Sequence, residues 1–166
     1  MITNRKLSQK REDKIAKDLG GRRHVLSGGS PFLKGDASNE YFLIEDKFTK
    51  EIKYTLKFTL LNKIAVEASK VNKVPIFKFG FMLPTSNRDY VIIRKEDCND
   101  FIEDTHRILL SKDSTTLHEN ILNLLYLDSK TIYIAEIHFL KQDKIYYLIR
   151  YRDFVENMNK FRDMYR

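Results

Sequence analysis

At 166 residues with 42% apolar content, the chain has material for one folded domain, which excludes a disordered segment. A single cysteine, Cys98, excludes an internal disulfide; no apolar run approaches the roughly eighteen residues of a membrane span, and "MITNRKLSQKRED" lacks the apolar stretch of a secretory leader. Net charge is +7, and it is concentrated: Met1 to Gly35 carry nine Lys/Arg against three Asp/Glu, the rest 21 against 20. A reducing, cytoplasmic setting and a polyanionic partner, most often nucleic acid, are the expectations.

A first helix is predicted from about Lys6 to Leu19, where Leu7, Arg11, Ile15 and Leu19 recur every four residues before Gly20-Gly21. "RRHVLSGGSPFLKG" reads as a short strand followed by a Gly/Ser/Pro loop. "DASNEYFLIEDKF" reads as a hairpin with Ser38-Asn39-Glu40 at its tip. A second helix fits "LLNKIAVEASKVN", with Leu61, Ile64, Ala65, Ala68 and Val71 on one face and Pro75 as its stop. "PIFKFGFML" and "DYVIIR" follow as strands, then a helix is expected from Glu96 to about Leu110. Beyond it, "HENILNLLYL" looks helical, "KTIYIAEIHFL" and "KIYYLIRY" pair as a hairpin around Lys141 to Asp143, and "RDFVENMNKFRDMY" closes as a helix. The fold class is α/β, with a mixed central sheet flanked by helices.

The unusual stretch is "FLIEDK", where a buried-looking run enters three charges. Strand residues two apart share a face at roughly 6.6–6.8 Å, so Glu45 and Lys47 project together while Asp46 points away with Phe42 and Ile44. A two-residue hairpin loop would set Asp36 opposite Tyr41 or Leu43, and either register puts it on the Glu45/Lys47 face. Two carboxylates about 4 Å apart repel by about 1 kcal/mol in water and about 4 kcal/mol at an effective dielectric of 20. A cation belongs between them: Lys47, or a hard divalent ion such as Mg²⁺. Burial is expected to depress the Lys47 pKa, letting it position or deprotonate a water. Glu12 has Ser8, Gln9, Ile15 and Ala16 as its helical neighbours and so no cationic partner there, whereas Asp13 has Lys10 and Lys17.

Taken together, "KREDKIAKDLGG", "LSGGSPFLKGD" and "FLIEDK", followed by an amphipathic helix and an apolar strand, resemble the PD-(D/E)XK nuclease superfamily, most closely in order the archaeal and phage Holliday-junction resolvases. The resemblance covers about Lys6 to Glu103. It implies a restriction-endonuclease-like core over residues 1–110, with 111–166 as a C-terminal hairpin-and-helix extension. It implies Asp36 and Glu45 as metal ligands, the Asp46 backbone carbonyl as an additional one, Glu12 as the acid completing the site and Lys47 as the catalytic lysine. Ser27 or Ser30 matches the loop serine that touches the phosphate. The residue before Asp36 is Gly35 where the family motif has proline.

The expected activity is Mg²⁺-dependent endonucleolytic hydrolysis of branched DNA, with Mn²⁺ able to substitute, by a homodimer in a prokaryotic or phage-infected cell. Another nuclease on the same fold and a non-catalytic DNA-binding module are the alternatives. Arg22, Arg23, His24 and Lys34 suit phosphate contacts, and Lys50, Lys53 and Lys57 extend the basic surface. The four histidines show no zinc-ligand spacing, and "LGGRRHVLSGG" lacks the Gly-Lys-Ser/Thr ending of a nucleotide phosphate loop, so neither zinc nor a nucleotide cofactor is expected.

Overall fold

The computed structural model describes residues 3–24, 35–84, 86–98, 107–122 and 134–158. Helix α1 (Asn4–Asp18) opens on Thr3, whose hydroxyl accepts the Lys6 amide, and buries Ile15 while Leu19 is buried just past its end. Strands β1 (Arg22–Arg23), β2 (Ala37–Ser38), β3 (Phe42–Thr49) and β4 (Lys53–Lys57) precede α2 (Phe58–Ser69). Next come β5 (Val74–Leu83), β6 (Ser86–Arg94) and a 3₁₀ turn (Lys95–Asp97). The chain continues with β7 (Arg107–Ser111), β8 (Ser114–His118), α3 (Glu119–Leu122), β9 (Ile134–Phe139), β10 (Lys144–Arg150) and α4 (Tyr151–Glu156).

Eight strands form one mixed sheet in the order β1-β2-β3-β5-β6-β10-β9-β7, parallel at β3/β5 and β7/β9 and antiparallel elsewhere. The expected mixed sheet flanked by helices is therefore what this chain forms. The hairpin expected in residues 111–166 is β9–β10, and β10 pairs with β6 from Tyr146↔Arg94 to Arg150↔Tyr90, placing the C-terminal strands inside the same sheet as β3 and β5. The helix expected from Glu96 to about Leu110 is not found at its described ends, where Lys95–Asp97 make a single 3₁₀ turn and Arg107–Ser111 are a strand; its middle, 99–106, lies outside the described residues. "RILLS" alternates too little to separate strand from helix by periodicity, and parallel pairing with β9 decides it.

Alternation along the strands divides the core in two. On one face α1 and α4 cover Phe42, Ile44, Ile76, Val91, Ile93, Tyr147 and Ile149. On the other, α2 and a separate two-stranded ribbon, β4–β8, cover Phe77, Phe79, Phe81, Tyr90, Ile92 and Leu148, with Leu56 and Leu117 facing in from the ribbon. Tyr54 stacks on Phe79 at 5.4 Å between ring centroids, and Phe79 stacks on Tyr90 at 5.2 Å, so aromatic contact fastens the ribbon to the sheet. α2 stops earlier than its apolar pattern suggests: Asn72 adopts φ 52°, the Lys73 amide donates to the Ala68 carbonyl, and Val71 is left exposed beyond the helix. Pro75 is then free to lie inside β5, opposite Leu43.

Candidate active site

The hairpin tip holds more residues than a two-residue turn. Ala37 pairs with Ile44 and Ser38 with Leu43, and the Asn39 side chain accepts the Tyr41 and Phe42 amides at 3.0 and 2.8 Å, closing the wider loop. The pairing ends at Ala37↔Ile44, and Asp36 enters beside it with its amide on the Ile44 carbonyl rather than opposite Tyr41 or Leu43. Its carboxyl lies within electrostatic range of Glu45 and Lys47. Gly35 makes the entry: its φ is 75°, and a Cβ there would sit 2.9 Å from the Ile44 carbonyl oxygen and 3.0 Å from the Leu43 side chain.

Asp36 is tied into the strand twice. Its amide donates to the Ile44 carbonyl at 2.8 Å, and its carboxylate accepts the Asp46 amide at 2.7 Å. Beside it, the Lys47 ammonium donates to Glu45 Oε1 at 2.5 Å. Burial, then the Glu45 charge, pushes the Asp36 carboxyl up to about 6, only partly offset by the Asp46 amide and Lys47. Lys47 moves opposite to expectation: burial disfavours its charge, but the Glu45 hydrogen bond and the Glu45 and Asp36 charges outweigh it and hold the ammonium above its ordinary pKa. In this arrangement Lys47 is a cation, not a base.

Glu12 reaches this group from α1. Burial raises its pKa, while Arg23 and Lys47 lower it, and it in turn raises Asp36. Arg23 thus supplies the cation that Glu12 lacks on its own helix, and Arg23 also pairs with Asp13 at 3.2 Å. Among the described residues no three or more His, Cys, Asp or Glu side chains gather closely enough to hold a metal, so Glu12 stands in electrostatic range of Asp36 without completing a three-carboxylate cage. Mg²⁺ does not need such a cage: it keeps several waters and binds through one or two carboxylates plus substrate phosphates. Asp36 and Glu45, two hard-oxygen donors near enough that the charge of one raises the other, fit that ion.

The Asp46 side chain occupies the opposite face, as its strand parity requires. Arg11 donates to both its oxygens at 2.7 Å, and Lys78 to Oδ1 at 2.9 Å. Asp89 closes the group, 2.9 Å from Arg11 and 2.9 Å from Lys78. Two cations and two carboxylates form a neutral quartet directly behind the Glu45–Lys47 segment, with Lys78 and Asp46 almost wholly buried. Lys78 also lies over the Tyr151 ring at 4.9 Å, linking α4 to the group. The quartet was legible only as anomalies: Arg11 within the apolar stripe of α1, and Lys78 alone among the apolar residues of β5.

Gly80 makes room for it. A Cβ at this position would lie 2.1 Å from Asp89 Oδ1 and 2.9 Å from the Arg11 guanidinium. In an ordinary strand Gly→Ala is favourable by roughly 0.5–1 kcal/mol. Here Gly80→Ala is expected to destabilise the protein by about 1–3 kcal/mol through overpacking, read as a lower urea midpoint; an unchanged or higher midpoint would mean that Arg11 and Asp89 separate at no cost.

The other expected contacts divide. Arg22 is exposed and Arg23 half-buried, while Ser27, Ser30 and Lys34 lie outside the described residues. His24 is not available to a phosphate: it is buried, with Nε2 2.8 Å from Ser38 Oγ. Sequence reasoning missed Tyr54, whose hydroxyl is raised by burial, lowered by Lys47 and raised by Glu45, placing it beside the catalytic candidates. The larger concavity, about 520 Å³ and lined by Glu40, Tyr41, Lys73 and Arg94 among others, contains none of Glu12, Asp36, Glu45 and Lys47.

No family model matches the chain, and no curated protein matches it. Among solved structures it is similar to the 1.6 Å structure of Hjc from Archaeoglobus fulgidus, a Holliday junction resolvase from an archaeal hyperthermophile. That likeness has 20% identity and a TM-score of 0.42, and covers 69% of this chain and 89% of that one.

Proposed function

We propose that the chain is a metal-dependent endonuclease that hydrolyses phosphodiester bonds in DNA, with four-way junctions as its substrate class and a homodimer as its working form. The observation that carries this reading is the gathering of Asp36, Glu45 and Lys47 at one short hairpin, with Glu12 brought into electrostatic range of Asp36 from α1. Asp36 and Glu45 would hold Mg²⁺, with the Asp46 carbonyl as a further oxygen; the ion supplies Lewis-acid stabilisation of the phosphate and a more acidic water. Lys47, kept protonated, faces the charge that accumulates on the phosphate oxygens and orients the attacking water by hydrogen bonding. Glu12 accepts a hydrogen bond from that water. Arg22 and Arg23, on the adjoining strand, hold the backbone without reading bases. The junction substrate and the dimer follow the sequence resemblance, because a two-fold branched substrate is cut symmetrically by two copies. Among the described residues no helix is long and apolar enough to cross a membrane.

The test is cleavage of end-labelled four-way junction, linear duplex and single strand, with Mg²⁺ and with EDTA. Symmetric metal-dependent nicks confined to the junction support the reading. Cutting of linear duplex would reassign the substrate, and tight binding without cutting would leave a DNA-binding module. Lys47→Ala is expected to reduce cleavage by about 10²–10³-fold, the scale for losing one charge-stabilising donor, with junction affinity changed less than about threefold. Parallel loss of binding and cleavage would make Lys47 a structural residue.

A further inference from the structure

The β4–β8 ribbon has two unlike faces. Inward, Tyr54, Leu56, Thr115 and Leu117 meet the aromatic core. Outward, the register sets Lys53 opposite His118, Thr55 opposite Thr116 and Lys57 opposite Ser114. All six outward residues donate hydrogen bonds, two are fully charged, none is a carboxylate, and five are exposed. Asp113 and Glu119 at the ends of β8 are engaged elsewhere, Asp113 with Lys141 and Gln142 and Glu119 with Arg88, while Glu51 precedes Lys53 by two residues, outside the ribbon. Neither Lys53 nor Lys57 is ion-paired with a described residue.

We infer that this outward face is a phosphate-binding surface for the backbone of a DNA arm entering the active site. Its identification as DNA rests on the nuclease reading; the anion-binding character rests on the face alone. Three arguments converge on it. Lys53 and Lys57 stand about 13 Å apart along the strand, about four nucleotide steps of a duplex strand. The Ser and Thr hydroxyls between them are neutral donors of the kind that hold phosphate oxygens without reading bases. Tyr54, on the inward side of the same strand, lies within electrostatic reach of Lys47 and Glu45, so the ribbon adjoins the candidate site. Half the surface comes from β8, which gives the chain beyond residue 110 a share in substrate binding.

The experiment uses the full chain, and fluorescence anisotropy with a labelled junction from 50 to 300 mM KCl in EDTA. Lys53→Gln/Lys57→Gln is expected to lower the slope of log affinity against log salt by about 2, with affinity about tenfold weaker at low salt. Thr116→Glu, on the other strand, is expected to weaken binding without a change in thermal midpoint, whereas Lys144→Gln on β10 leaves the slope unchanged. An unchanged slope in the double variant, with its thermal midpoint preserved, overturns the assignment. So does loss of affinity for RNA of the same sequence with DNA affinity intact. Wild-type cleavage is scored on the same DNA: a reduced slope without any cleavage supports the ribbon surface while removing the nuclease reading.

Discussion

Asp36→Asn is expected to stabilise the metal-free protein at pH 8 while reducing Mg²⁺-dependent cleavage by about 10³-fold or more, the scale of several kcal/mol of metal-assisted stabilisation. Folding raises this carboxyl to about 6 from its ordinary 3.8, so the folded state keeps its proton to higher pH than the unfolded state does. Its contribution is therefore favourable below about pH 4 and is lost as pH rises through about 6. Discounted for the group's partial exposure, the cost of ionisation at pH 8 is on the order of 1–2 kcal/mol. Asparagine keeps an oxygen to accept the Asp46 amide and carries no charge to oppose Glu45. Chemical denaturation in EDTA should give the variant a higher midpoint at pH 8 and an equal one at pH 4. Mg²⁺ should raise the wild-type midpoint at pH 8 and leave that of the variant unmoved. Equal midpoints for both proteins at pH 8 would show that Asp36 and Glu45 do not oppose one another.

The second large effect lies behind the site. Asp46→Asn leaves Arg11 and Lys78 sharing Asp89 alone, an excess positive charge where Lys78 is 2% exposed and Arg11 10% exposed. Breaking a buried pair by removing one partner costs about 3–5 kcal/mol, because the partner's desolvation is no longer compensated. Lys78→Met added to Asp46→Asn restores neutrality with the Arg11–Asp89 pair, and should recover a substantial part of the loss. If the single variant moves the urea midpoint by an amount equivalent to less than 1 kcal/mol, α1 is not anchored by the quartet. If the double variant is as unstable as the single, volume rather than charge is at fault. The quartet also binds chemistry to architecture. Arg11 precedes Glu12 on α1, and the Asp46 amide holds the Asp36 carboxylate. One cluster therefore fixes where the helix acid and the hairpin acid stand.

This ordering explains why the site sits at the end of a buried run. Asp46 is a core-facing residue made tolerable by two buried cations, and Glu45 and Lys47 face the other way into a partly open region. Beyond Ile44 the outer edge of β3 has no partner strand among the described residues, because β2 ends its pairing there. Helix α1 can thus bring Glu12 to the edge, and a substrate can reach the carboxylates without a pocket.

The sequence by itself determined what periodicity and local turn chemistry encode. It placed α1 and α2, the apolar strands β5 and β6, and the β9–β10 hairpin. Only the tertiary structure decided what depends on partners distant in sequence. Parallel pairing with β9 turned 107–111 into a strand rather than the end of a helix. Pairing with Asp46 and Asp89 turned two apparent anomalies, Arg11 and Lys78, into one neutral cluster. Carboxylates gathered around Lys47 raised its pKa where burial alone would have lowered it, because the sign of a shift is set by the sum of desolvation and neighbouring charge. The β4–β8 pairing, between segments about sixty residues apart, made a ribbon whose donor-only face appears in neither strand read alone.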